Sequence, residues 1–281
     1  MSISLFALDY SRPMRALFEQ AQRAGTIHSV FRRATNIALD ETLVTILSSE
    51  LPRMPNGLRL PSLTANELLS SLQPGMRVWI GDGRLTIPSQ NCTLWLPEDA
   101  AWEPVPDVSS GQWHCETVTR HATMLAHYLS RVATDEGLAS LVRPLLLGQS
   151  AEETPLARIA LPALRLLECA SREQDIAHVE EAASRLAGLG PGLTPSGDDA
   201  LGGFIAILAL LSQYMSDAAA PCDAIVAAIV RAARPGTGTI SAALLAYAAR
   251  GEVAEPVGAL LLALASESPD PVMLAARHVL A

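Results

Sequence analysis

Aromatic residues are scarce in this chain. Four Phe, four Trp and four Tyr amount to 4% of 281 residues, while Ala and Leu dominate after residue 120. That balance favours closely packed helices over β-sandwiches. Basic residues are outnumbered, 20 Lys+Arg against 29 Asp+Glu, for a formal charge of −9. No basic cluster is long enough to track a phosphodiester backbone, which argues against nucleic-acid binding. Cysteine is limited to Cys92, Cys115, Cys169 and Cys222, with no C-x-x-C pair. This argues against a structural zinc site and against a disulfide framework, and suits reduced thiols in the cytosol. The greasiest run, Ala200–Leu211, is too short to cross a bilayer. The opening MSISLFALDYSRPMRAL carries Asp9 and no uninterrupted apolar run, so it does not read as a signal peptide. A cytoplasmic protein without membrane contact is the expectation. Also missing are a G-x-S-x-G elbow, a P-loop lysine and a G-x-G-x-x-G after a strand, which removes the commonest hydrolase, nucleotide-triphosphatase and Rossmann readings.

What is present divides by period. The first hundred residues hold short β-type runs at Ile27–Phe31, Thr42–Leu47, Arg77–Ile80, Leu85–Ile87 and Thr93–Leu96. In RVWIGDGRLTI, Asp82-Gly83 suits a type I′ turn and predicts a hairpin. Thr64 and Glu67 have capping-box spacing and predict a short helix from Thr64. Pro97, Pro104, Pro106 and the SSG at 109–111 read as a connector. Beyond it, Val118, Ala122, Leu125, Leu129 and Val132 mark one face of a helix over about 112–134. Further helices are predicted near 156–172, 175–187, 199–215, 222–233, 239–249, 256–266 and 270–280. Those at 199–215 and 258–265 are apolar on nearly every side and should be surrounded by others. The expected fold class is α+β: a small β-rich domain over 1–108 and a larger all-α domain over 109–281.

The segment GLGPGLTPSGDD, residues 188–199, stands directly before the greasy helix. One reading is purely structural. Gly188 ends a helix, while Ser196 and Asp199 form a capping box that starts the next. On that reading Asp198 is redundant for the cap. Gly190, Pro191, Gly192, Thr194, Gly197 and Asp198 are then unexplained. Glycines admit a ligand to the backbone, and a helix start presents free N–H groups to negative charge. Adjacent Asp198 and Asp199 also suit a hard cation such as magnesium, a cationic group or an amide N–H.

Two other stretches share this chemistry. RPGTGTIS, residues 234–241, offers Arg234 as a bidentate clamp for carboxylate or phosphate, with Thr237, Thr239 and Ser241 as hydroxyl donors. The competing reading is an interhelix turn capped by Thr239. In HSVFRRATN, His28 and Ser29 lead into Arg32, Arg33 and Asn36, which can face an acidic ligand or simply end a solvated strand. His114 and His121 lie seven apart, not at a metal-binding spacing of four, and read as a polar surface stripe.

The stretches GLGPGLTPSGDD, HSVFRRATNIAL (28–39), PNGLRL (55–60) and TISAALLAYAARGE (239–252) together resemble a bacterial family long without assigned function. That family includes a subunit of oxamate carbamoyltransferase from allantoin breakdown. The resemblance implies a multi-subunit transferase that moves a carbamoyl group between oxalurate and phosphate, with an acyl-CoA-synthetase-like partner among its subunits. On this reading Asp198 and Asp199 are the catalytic candidates, with a metal as one possible guest. The amides of residues 190–197 and Arg234 would hold the anionic oxygens. The S-T-R-T phosphate loop of ordinary transcarbamoylases is missing, so other residues must hold carbamoyl phosphate. Two further readings are a noncatalytic small-anion module that docks to an enzyme, and a metal-dependent amide hydrolase.

Overall fold

A computed structural model describes residues 3–107, 113–132, 137–149 and 154–280. The fold class is α+β. A curled sheet occupies the first hundred residues, and the rest is helical. Residues up to Pro104 with Val253–Glu255 form one compact unit; Val105–Glu252 with Pro256 onward form the other. The boundary expected at 108/109, the SSG and the ends of the 112–134 helix lie outside the described residues.

The first unit runs β1 (Ile3–Phe6), β2 (Asp9–Ser11), α1 (Arg12–Glu19), β3 (Arg23–Val30), β4 (Ala34–Leu39), β5 (Thr42–Ser48), β6 (Gly57–Leu60), α2 (Ser62–Ser70), β7 (Arg77–Gly81), β8 (Arg84–Ile87), β9 (Cys92–Trp95) and β10 (Ala101–Trp102). The sheet order is β1-β9-β8-β7-β3-β4-β5-β6-β2-β10. Its two ends share the segment from residue 3 to 11. The Ala7 amide donates to Trp95 O of β9 at 3.0 Å and the Leu8 amide to Arg59 O of β6 at 2.8 Å, so one bent segment bridges β9 and β6. Curling in this way spends backbone donors that an open edge would leave exposed. One face encloses the core, where Ile27, Ile37, Val44, Ile46, Leu58, Val78, Leu85 and Leu94 meet Met14 and Phe18 of α1 and Leu69 of α2.

The predicted hairpin is present: β7 pairs with β8, and Asp82 and Gly83 both take positive φ, 49° and 76°. Their amides donate to Gln20 O and Phe18 O, which docks the turn on the end of α1. Sequence patterning missed α1, β1, β2, β4, β6 and β10. Of these, β4 and β6 are central strands buried on both faces or interrupted by Arg59, so neither shows clean alternation. Helix α2 begins at Ser62 after Pro61, with no side-chain cap, so the Thr64–Glu67 box does not form. Pro61 stands at the N-cap position with extended backbone, and Ser62 opens the helix directly after it.

The second unit contains α3 (Cys115–Val132), α4 (Val142–Leu146), α5 (Pro155–Glu173), α6 (Ile176–Leu186), α7 (Ser196–Tyr214), α8 (Ser216–Ala233), α9 (Thr239–Ala248), α10 (Glu255–Leu264, its first residue belonging to the other unit) and α11 (Asp270–Leu280). Helix α5 is capped by Thr154 Oγ1, which accepts from the Ala157 amide at 3.1 Å. Gln174 in the left-handed region ends it. Asp175 then starts α6 by accepting from the His178 amide at 3.2 Å. Helix α7 packs against α6, α8 and α9. It is not enclosed all round, since Ile207 keeps 40% of its surface exposed, and Leu262 of α10 keeps 39%. His121 is not part of a surface stripe. It is 1% exposed, with Nδ1 at 3.1 Å from Leu264 O. That contact requires Nδ1 to carry the proton, because a carbonyl oxygen can only accept.

Candidate functional site

Three glycines let the 188–199 loop turn as it does. Gly188, Gly190 and Gly192 have φ of +70°, +124° and +94°, which L side chains rarely adopt. Gly188 also lies against the other loop: a Cβ there would stand 2.3 Å from Gly236 O. Gly197 sits so close to the end of α6 that a Cβ would lie 2.0 Å from Leu186 O. These two glycines serve close packing of backbone on backbone. Gly192 has nothing within 4 Å of its missing Cβ and faces open space.

The structure places the two aspartates differently from the capping-box reading. Helix α7 begins at Ser196, with Pro195 as its N-cap and no side-chain cap. The Asp199 amide donates to Pro195 O at 3.1 Å, so Ser196 and Asp199 form no capping box. Asp198 is the structural carboxylate. It is 3% exposed; its Oδ1 accepts the Gly188 amide at 2.9 Å, and its Oδ2 accepts the Thr237 hydroxyl. One buried carboxylate thereby ties its own loop to the 234–241 loop. A second tie runs from Ser241 Oγ to Leu193 O at 3.3 Å. Asp199 remains open to solvent. Even so, the protein around it displaces enough water that burial, with repulsion from Asp198 second, pushes its pKa up to about 6.

Helix α9 starts after Gly238, with no side-chain cap, so Thr239 is its first residue and not its cap. Thr194, Thr239 and Arg234 are exposed, Thr237 and Ser196 half-buried and Ser241 buried. Among the described residues the amides of Gly190, Gly192 and Thr194 have no backbone partner. The two loops therefore present amides, hydroxyls and one carboxyl of raised pKa, and the buried Asp198 joins them through Gly188 and Thr237. As a metal site the donor set is poor. No group of three or more His, Cys, Asp or Glu side chains gathers among the described residues, and both Asp198 oxygens already accept hydrogen bonds. Hard cations take six or more oxygens, so two carboxylates with one pre-engaged are a weak start.

The third candidate stretch lies in the first unit. Ser29 Oγ is 3.3 Å from His28 Nδ1 and accepts from Asn36 Nδ2 at 3.1 Å. Thr45 Oγ1 donates to Asn36 Oδ1 at 2.8 Å and accepts from Asn56 Nδ2 at 2.8 Å. Patterning singled out neither Thr45 nor Asn56 as site residues, although Asn56 stands second in PNGLRL. A polar ladder across β3, β4 and β5 thus joins HSVFRRATN to PNGLRL. Arg59 of the same stretch grips Asp9 with Nε at 2.9 Å and Nη2 at 2.5 Å. Arg53 adds a contact to Asp9 at 3.2 Å and another to Glu255 at 2.8 Å. Burial alone would raise the Asp9 pKa; the hydrogen bonds and charges of Arg59 and Arg53 outweigh it and hold the carboxyl below its ordinary value. In the second unit, TISAALLAYAARGE closes with a comparable device. Arg250 pairs with the buried Glu252 at 2.9 Å and lies over the Tyr247 ring at 4.6 Å.

Two family models match the sequence. The model described as AllH family N-terminal domain matches residues 6–101, and that described as oxamate carbamoyltransferase subunit AllH matches residues 186–281. The chain belongs to the AllH family. The second match begins at the last turn of α6 and takes in the whole of both glycine-rich loops; the first takes in the polar ladder and the Asp9–Arg59 pair. No curated protein and no solved structure matches. An AllH chain is a subunit by the family's description, which implies other subunits, and its place in allantoin catabolism follows from the same description. No helix among the described residues is long and apolar enough to cross a membrane.

Proposed function

We propose that this chain is a subunit of a cytoplasmic oxamate carbamoyltransferase, and that its paired loops at 188–199 and 234–241 hold the small anions of that reaction. The observation that carries the reading is the buried Asp198 joining both loops beside the solvent-open Asp199. The reaction has simple requirements. A phosphate oxygen attacks the carbamoyl carbon of oxalurate, the C–N bond breaks, and carbamoyl phosphate and oxamate separate. The proton lost by phosphate must reach the departing amide nitrogen.

Each requirement has a match. Amides at Gly190, Gly192 and Thr194, with the hydroxyls of Thr194, Ser196 and Thr239, are the donors for carboxylate, phosphate and the oxyanion that develops on the carbamoyl carbon. Arg234 adds a permanent cation at the start of the second loop. Asp199, with its pKa near neutrality, carries the proton from phosphate to nitrogen. Asp198 touches no substrate in this scheme and acts as a positioning residue. His28 and Ser29 have no role in it. Partner subunits, an acyl-CoA-synthetase-like chain among them, supply the rest of the site.

The test is reconstitution. The chain co-purified with its partners should form carbamoyl phosphate from oxalurate and phosphate, and the chain alone should not. Asp199→Asn in the assembled complex should lower kcat and remove the pH limb near 6. A complex with unchanged kcat and pH profile would end the proton-carrying role. Phosphate and oxamate binding retained without turnover in the wild-type complex would favour a noncatalytic anion module.

A further inference from the structure

The first unit contains a cleft of about 530 Å³ lined by Val30, Phe31, Arg32, Arg33, Glu50, Asn66, Leu69, Ser70 and Leu72. That volume falls within the range of small-molecule sites. It lies between the β3–β4 turn and the end of α2. The turn is tight and pinned. The Phe31 amide donates to Ala34 O at 2.8 Å, and Thr35 Oγ1 donates to Ser29 O at 2.9 Å. The cleft is two-sided in its chemistry. Leu69 and Leu72, 2% and 5% exposed, give it an apolar floor with Val30, while Phe31 stands 45% exposed at the rim. The rest of the rim is polar or charged.

Charge at that rim is unbalanced. Arg33 is opposed by Glu50 at 3.7 Å. Arg32 is exposed and has no hydrogen-bonding or ionic partner among the described residues. The cleft therefore carries one surplus cation beside an apolar floor and an open aromatic ring. All 20 basic residues of this acidic chain are arginines, and most of those in the first unit are engaged by carboxylates. An unpaired guanidinium and an exposed Phe lining one cleft over an apolar floor suit a carboxylate or phosphate attached to a flat body.

We infer that this cleft is a binding site for a small organic monoanion with a flat apolar body, its head group on Arg32 and its body against Phe31, Leu69 and Leu72. The site lies wholly within the first unit. It is independent of the carbamoyl-transfer reading, which uses none of these residues.

The probe is 1-anilinonaphthalene-8-sulfonate, a flat aromatic monoanion, titrated into the full chain by fluorescence. A single saturable site with blue-shifted emission is expected, displaced by 1-naphthoate but not by neutral 1-naphthalenemethanol. Arg32→Gln should weaken binding about tenfold, the scale of one charge-assisted contact, without shifting the unfolding midpoint. Glu50→Gln should tighten binding, because it frees Arg33. Thr237→Val, in the other unit, should leave it unchanged. Non-saturable binding overturns the inference, as does equal displacement by the neutral naphthalene. Indifference to both Arg32→Gln and Glu50→Gln also overturns it.

Discussion

Replacing Asp198 by Asn tests whether that carboxylate ties the two loops together. The change is nearly isosteric, so no cavity opens and the effect isolates charge. At the buried side chain, the Asn carbonyl can keep the Gly188 amide, and its NH2 can meet Thr237 only if that hydroxyl turns to accept. Both contacts survive in form but lose their ionic partner. A hydrogen bond to a charged group contributes about 1.5–3 kcal/mol and a neutral one about 0.5–1.5, so two such exchanges cost roughly 2 kcal/mol. In a unit of this size each kcal/mol moves the midpoint by about 2–4 °C, which predicts a fall of roughly 4–8 °C. Asp198→Ala should cost more, because the Gly188 amide then has no acceptor. The assay is thermal unfolding by circular dichroism for Asp198→Asn, Thr237→Val and the double variant. The cycle should return a coupling of about 1 kcal/mol, since the two side chains touch. An unchanged midpoint in Asp198→Asn, with additive behaviour in the double variant, would refute the tie.

Gly188→Ala should be severely destabilising, because it combines a positive φ with a Cβ 2.3 Å from Gly236 O, whereas Gly192→Ala, also at positive φ but with open space around it, should cost only about 1–2 kcal/mol of backbone strain; denaturant titration of both compares them directly. For Asp199 the folded pKa of about 6 exceeds the ordinary carboxyl value of 3.8, so between those values the folded chain holds a proton the unfolded chain lacks, and stability declines as pH rises through that window and levels off above it. Asp199→Asn should therefore match the wild type below pH 3.8 and exceed its unfolding midpoint above pH 6; a variant less stable at the higher pH would contradict this. Arg59→Ala should destabilise the first unit by about 2–4 kcal/mol, somewhat less than complete loss of a buried pair because Arg53 still reaches Asp9. Because the Asp9 pKa is held low, its contribution is present above the unfolded carboxylate range and is lost as pH falls through the folded value, so acid unfolding of Arg59→Ala should lack that component.

Features that depend on near neighbours along the chain were legible in the residues alone. The change from period 2 to period 3.6 separates a β region from a helical one because side-chain direction repeats every two residues in a strand and every 3.6 in a helix. Asp82-Gly83 specified its hairpin because two positive φ values in succession suit few residue pairs. The same local logic marked 188–199 and 234–241 as loops that start helices. It misplaced the helix cap. Spacing within four residues favoured a Ser196–Asp199 box, but Pro195 already supplied the N-cap and moved the helix start by one position. Asp198 then faced inward, toward a hydroxyl 39 residues away. Nothing in a window of ten residues shows that Thr237 completes it, or that Gly188 is required by Gly236. The ladder from Ser29 through Asn36 and Thr45 to Asn56 is hidden for the same reason, since register between strands, and not order along the chain, brings those side chains within hydrogen-bond reach. His121 reads as polar on a helix wheel, yet packing buries it against Leu264 O, 143 residues on. Periodicity states which face of an element turns inward; only the tertiary structure decides what that face meets, because the partner is chosen by shape and desolvation across the chain.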